Sequence, residues 1–142
     1  MEEKYLEYAK QELLNKEYTC VLYNGTDTIT SKNRGVAPLL GWIEEERNFE
    51  GYVAADKVVG KATAFLYVTL NVKAVYGKVI SRSAVNVFEK YGVKFSYDEM
   101  VDKIMNRMRT GYCPMEDATR EIENTKEALD AIKKRYMELS KK

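Results

Sequence analysis

Between residues 52 and 97, short β-branched runs alternate with helical segments, and this alternation restricts the fold more than any other feature. Residues 52–55, 72–80 and 93–97 read as strands, rich in Val, Ile, Phe and Tyr. Asp56-Lys57-Val58-Val59-Gly60-Lys61 reads as the start of a helix through about Leu70. Beyond Lys61 that segment is apolar on most sides, which predicts a central position against a sheet. Ser81-Arg82-Ser83 supplies capping hydroxyls for a helix over 84–91, and Gly92 stops it. Strands that alternate with helices need a sheet covered on both faces.

Residues 2–16 carry Leu6, Ala9, Leu13 and Leu14 at helical spacing. Residues 18–23 and 26–31 flank Asn24-Gly25, the strongest short hairpin signal, because both turn positions accept positive φ. Pro38 suits the first turn of a helix whose inner face is Leu39, Leu40 and Ile43. Ser96-Tyr97-Asp98-Glu99 fits a capping box ahead of Met100, Val101, Ile104, Met105 and Met108. Cys113-Pro114-Met115-Glu116 opens a short helix. Asn124-Thr125-Lys126-Glu127 opens the last one, with Leu129, Ile132, Tyr136 and Leu139 inward. The expected fold is α/β, a three-layer α/β/α arrangement around a mixed sheet of about five strands with an N-terminal hairpin. The expected organisation is one domain over 1–142: an N-terminal helix (1–16), an α/β core (18–98) and C-terminal helices (99–142).

Composition removes several function classes. A chain of 142 residues suits one domain with a real core. It has no histidine, so histidine-based triads, dyads and zinc sites are excluded. Its two cysteines, Cys20 and Cys113, cannot alone build a structural zinc site, and no metal or cofactor is expected. A net charge of +1 gives no general attraction to nucleic acid or anionic lipid. No apolar run approaches a membrane span of roughly 20 residues, and the charged Met1-Glu2-Glu3-Lys4 does not resemble a secretory signal, so a cytoplasmic location is expected.

Four segments carry a family resemblance: Arg34-Gly35-Val36-Ala37-Pro38-Leu39-Leu40, Ala55-Asp56-Lys57-Val58-Val59-Gly60-Lys61-Ala62, Val79-Ile80-Ser81 and Gly111-Tyr112-Cys113-Pro114-Met115-Glu116. On these the chain resembles the domain-of-unknown-function 1893 family, a non-deaminase branch of the cytidine-deaminase-like fold. The likeness spans roughly residues 18–135. It implies the architecture but brings no established activity. In true deaminases of that fold, a His/Cys-x-Glu motif and a Pro-Cys-x-x-Cys motif open two successive helices and hold zinc. Here the corresponding segments are Asp56-Lys57-Val58 and Ser81-Arg82-Ser83-Ala84, without thiolate or imidazole. The resemblance therefore argues against hydrolytic deamination.

Ligands of such sheets sit beyond the carboxyl ends of the strands, where helix N-termini point. On the helical reading, Lys57 and Lys61 share one face, flank Gly60 and lie near Asp56. They could hold a phosphate or carboxylate. Plainer roles are an N-cap for Asp56, solvated lysines, or a buried Lys61–Asp56 ion pair. Cys113, before Pro114, would lie at a helix start that favours a thiolate, with Glu116 as acid/base or cap. It is equally readable as a structural cysteine. Ser81, Arg82, Ser83 and Arg34 would add donors at the cleft mouth, or be caps and surface residues. The candidate catalytic set is thus Cys113, Lys61 and Asp56. The candidate binding set is Lys57, Gly60, Ser81, Arg82, Ser83, Arg34 and Glu116.

Three functions compete. The first is zinc-independent binding or transformation of a small anionic, nucleotide-like metabolite. The second is a non-catalytic interaction or scaffold module, possible as a homo-oligomer through the N-terminal helix. The third, nucleic-acid binding, is disfavoured by the near-neutral charge.

Overall fold

The computed structural model describes residues 2–33, 35–104 and 113–140. Its strands are β1 (Cys20–Tyr23), β2 (Thr28–Ser31), β3 (Val53–Val59), β4 (Ala74–Ser81) and β5 (Lys94–Val101). They form one mixed sheet in the order β2-β1-β3-β4-β5. β1 is antiparallel to β2 and β3, whereas β3, β4 and β5 run parallel. The helices are α1 (Glu2–Asn15), α2 (Ala37–Glu44), α3 (Lys61–Thr69), α4 (Arg82–Tyr91), α5 (Pro114–Thr119) and α6 (Thr125–Ser140).

Side-chain alternation along the central strands assigns the layers. Val53, Ala55, Ala74 and Tyr76 face α1 and meet its buried Ala9 and Leu13. Ala54 and Val75 face the other way, into the larger core around Phe65, Leu66 and Phe88 of α3 and α4. Helices α2, α5 and α6 pack on α3 in turn. This makes α3 the most enclosed helix, as its all-round apolar sequence predicts. Removing a side chain such as Phe88, fully buried here, costs ~3–5 kcal/mol in cores of this kind. The Ser81 hydroxyl accepts from Ala84 N (3.2 Å), and Gly92, at φ +72°, ends α4 in the left-handed conformation that glycine tolerates. Asn124 Oδ1 accepts from Glu127 N and starts α6.

Three local expectations need correction. Asp56, Lys57 and Val58 belong to β3, not to a helix. Their strand stays in parallel register with β4 as far as Val59 opposite Ile80, and α3 opens only at Lys61, after Gly60. Lys57 and Lys61 therefore share no helix face. Next, Ser96-Tyr97-Asp98-Glu99 is not a capping box but the middle of β5, held against β4 as far as Ser81 opposite Val101. Of the helix expected after it, Met105 and Met108 lie outside the described residues. Last, the hairpin loop has four residues, 24–27, not two. Asn24 Oδ1 accepts from both Thr26 N and Asp27 N, which extends the turn before β2 begins.

Candidate functional site

Where β3 hands over to α3, a cavity of about 690 Å³ opens between the sheet and the C-terminal helices. Cys20 and Asp56 lie on its sheet side, with Lys57 and Val58 from the last turn of β3. Gly60 and Ala62 come from the start of α3, Val36 and Pro38 from the α2 region. Cys113, Met115 and Glu116 enter from α5, Tyr136 and Leu139 from α6. Most of this wall is apolar, with a few polar groups converging on it, the usual composition of a small-molecule pocket.

Asp56 is the first of these polar groups. Its Oδ2 accepts from the Tyr67 hydroxyl at 2.6 Å, and its Oδ1 from Val58 N at 3.2 Å. Cys20, directly opposite Asp56 in the β1–β3 register, lies beside the same hydroxyl. Burial raises the Asp56 carboxyl to about 6, although the bonds from Tyr67 and from Val58 N oppose the rise. Burial likewise pushes up the Cys20 thiol and the Tyr67 phenol, and the Asp56 charge adds to both. Cys20 and Tyr67 thus hold their protons, and of the three groups the carboxyl is the one that titrates below neutrality, at about 6.

Glu116 is the second. It is only 7% exposed, and its Oε2 accepts from Lys61 N at 3.1 Å. It therefore caps α3 from another helix, taking an N–H that no side chain of Gly60 could reach. Its Oε1 is buried without a hydrogen-bond partner. Desolvation raises its carboxyl above the usual range, against the opposing pull of Lys61 N, the Ser81 hydroxyl and the Lys61 charge. Gly60 makes room for it: a Cβ there would stand 2.9 Å from Glu116 Cδ and closer still to Oε1.

The sequence model of the family described as "Domain of unknown function (DUF1893)" matches residues 8–136. The chain belongs to the DUF1893 family. A crystal structure of a DUF1893 family protein from Thermotoga maritima has a TM-score of 0.87 to it at 28% identity, over 95% of this chain and 92% of that one. A comparison with curated proteins finds no match.

In this DUF1893 chain the residues singled out from sequence divide into two groups. Asp56, Lys57, Gly60, Cys113 and Glu116 share the cavity wall. Lys61, Ser81, Arg82 and Ser83 do not. The Lys61 side chain, 7% exposed, turns away and donates from Nζ to Arg120 O at 3.0 Å, so it pairs with neither Asp56 nor the cavity. Ser81 is the buried cap of α4, within 3.0 Å of the Ser83 hydroxyl, and exposed Arg82 meets Asp102 at 3.3 Å. Arg34 lies outside the described residues.

Tyr67 and Tyr136 were not singled out as site residues, though both matter to the pocket. Tyr67 had a signal: a carboxylate in a buried strand needs a donor, and the neighbouring apolar helix offers one phenol on its inner side. Among the described residues no three His, Cys, Asp or Glu side chains are grouped to hold a metal ion. No described helix is long and apolar enough to cross a membrane.

Proposed function

We propose that this protein binds a small nucleoside-like molecule in the β3–α3 cavity, with the heterocycle inside and any phosphate outside at Lys57. The observation that carries this reading is the pairing of apolar walls with two carboxyls, Asp56 and Glu116, that burial holds towards their neutral forms. A protonated carboxyl presents a donor beside an acceptor and so pairs with a lactam or amidine edge, whereas an ionised one pairs with two neighbouring N–H donors. A bare anion is disfavoured there, because the Lys61 ammonium is engaged elsewhere and Glu116 already occupies the start of α3. Lys57, exposed on the wall, is the cation placed to meet a phosphate.

The reading keeps the cytidine-deaminase-like fold as a proposal, supported by the strand order and by helices opening after two parallel strands. It keeps the protein zinc-independent as well. The helix starts at which deaminases hold zinc correspond here to Gly60-Lys61-Ala62 and Ser81-Arg82-Ser83. They offer no thiol or imidazole, and the Glu116 carboxylate already accepts from Lys61 N at the first of them. These residues do not fit zinc, whose protein sites are built mainly from thiolates and imidazoles.

Thermal shift with nucleobases, nucleosides and nucleotides tests the proposal. A ligand that binds the native state raises Tm by mass action. Nucleosides should raise it, phosphorylated forms should raise it further, and Lys57→Ala should remove only the phosphate increment. Val58→Trp, at a half-exposed wall position, should abolish both. If no such compound shifts the wild type, or Val58→Trp leaves the shift intact, the cavity is not the binding site.

A further inference from the structure

β5 is an edge of the sheet, and no described residue pairs along its outer side. Ser96, Tyr97, Asp98 and Glu99 are all exposed, Tyr97 by 41%. Such an edge is a template for another strand, and charged side chains are the common defence. Lys94, Asp98 and Glu99 supply that defence against an arbitrary strand.

Against one partner the charges do not repel. Lys94-Phe95-Ser96-Tyr97-Asp98 is complementary to itself about Ser96. When two copies run antiparallel with their Ser96 residues opposite, Lys94 falls opposite Asp98 of the second copy, and Phe95 opposite Tyr97. Each pair occurs twice by the two-fold symmetry. The alternation of the strand places the pairs on different faces. Lys94, Ser96 and Asp98 share the face of α1, where Lys10 Nζ lies 3.6 Å from Asp98. Phe95 lies on the other face, its ring stacked on Phe88 at 6.1 Å between centroids. Directly opposed aromatic pairs and opposite charges each stabilise antiparallel pairing. A register centred on Tyr97 instead sets Asp98 against Ser96 and Glu99 against Phe95, which forfeits the charge pairs and keeps one aromatic pair in place of two.

A second feature lies along the same edge. A trough of about 390 Å³ separates α1 from β5, with Tyr76 on its wall and its phenol pushed up by burial and by the neighbouring Asp98. A partner strand beside β5 would run along the open flank of this trough.

We propose that β5 pairs with β5 of a second copy, antiparallel and centred on Ser96, joining two sheets into one across a two-fold axis. The proposal is independent of what the β3–α3 cavity binds. Sedimentation equilibrium of the full chain should show a concentration-dependent rise from 16.4 kDa towards twice that mass. Asp98→Lys should raise the dimer dissociation constant at least tenfold, and Lys94→Asp combined with Asp98→Lys should restore association. Residues facing each other across the axis have Cβ atoms ~5 Å apart. In a Cys113→Ser background, Ser96→Cys should therefore form a disulfide-linked dimer under mild oxidation, and Glu99→Cys should not. Cys20 is buried and does not interfere. A chain that stays monomeric with no Ser96→Cys cross-link overturns the proposal, as does a dimer that Asp98→Lys leaves intact. Should Asp98→Lys fail to fold, the selectivity of the two cysteine variants decides.

Discussion

Replacing Gly60 with Ala tests whether Glu116 holds the start of α3. The backbone at Gly60, φ −98° and ψ −175°, suits any residue, so the substitution introduces no backbone strain. The conflict is with a neighbour: the added Cβ would come within 2.9 Å of Glu116 Cδ and 3.2 Å of Ile104 Cγ1. The carboxylate must withdraw and release Lys61 N, to which its Oε2 is bonded at 3.1 Å. Leaving that buried donor without its acceptor costs ~1–3 kcal/mol. Alanine is also a poorer N-cap than glycine by ~0.5–1 kcal/mol. Gly60→Ala should therefore destabilise the protein by ~2–4 kcal/mol. With Glu116→Ala already present, the capping difference of ~0.5–1 kcal/mol should remain, together with the milder contact with Ile104 Cγ1. Urea denaturation of the four proteins in this double-mutant cycle measures the coupling. Equal cost in both backgrounds, or no cost in the wild type, would refute the argument that the glycine exists to admit the carboxylate.

Two further outcomes follow from the site. The Asp56 carboxyl has an ordinary value of 3.8 and is raised to about 6. Below the lower value it is protonated in both folded and unfolded chains; above the higher value the fold must hold it ionised. Its contribution to stability should thus fall as pH rises from about 4 to about 6, by ~1–3 kcal/mol once the partial exposure of the residue is allowed for. Asp56→Asn should remove this component, so the stability of the wild type relative to the variant should fall by that amount between about pH 4 and about pH 6; a constant difference would show that burial does not disfavour the charge. In the native protein a bulky thiol reagent should modify Cys113, half-buried on the cavity wall, and spare Cys20, with both reacting in denaturant. Modification of Cys20 at the same rate would show that the sheet side of the cavity opens.

Among the described residues, five strands and six of the expected helices appear in the predicted order, because each rests on a local signal: hydrophobic period, a cap, or a breaking glycine. The misread boundaries were set by tertiary pairing. Val58 and Val59 carried the β-branched character of a strand, but the apolar stretch beyond them suggested an earlier helix. Parallel partners in β4 hold them extended as far as Gly60. Ser96-Tyr97-Asp98-Glu99 matches a capping box letter by letter, yet a capping box needs a helix to follow, and β4 supplies a better partner for those backbone groups. The site was half visible for the same reason. Cys113 and Glu116 could be nominated from their place beside Pro114. That Glu116 serves α3 rather than its own helix depends on a contact across 55 residues of sequence. Lys61 stands out as a catalytic candidate because a lysine in an apolar helix is unusual, and its actual partner, the Arg120 carbonyl, carries no mark in the sequence.

The cap on α3 has a consequence for how the molecule comes together during synthesis. A nascent chain emerging only as far as β5 has every strand it needs, yet the first turn of its central helix still lacks the acceptor that arrives with residue 116. The cavity can therefore take its final shape only once α5 and α6 have been added to it.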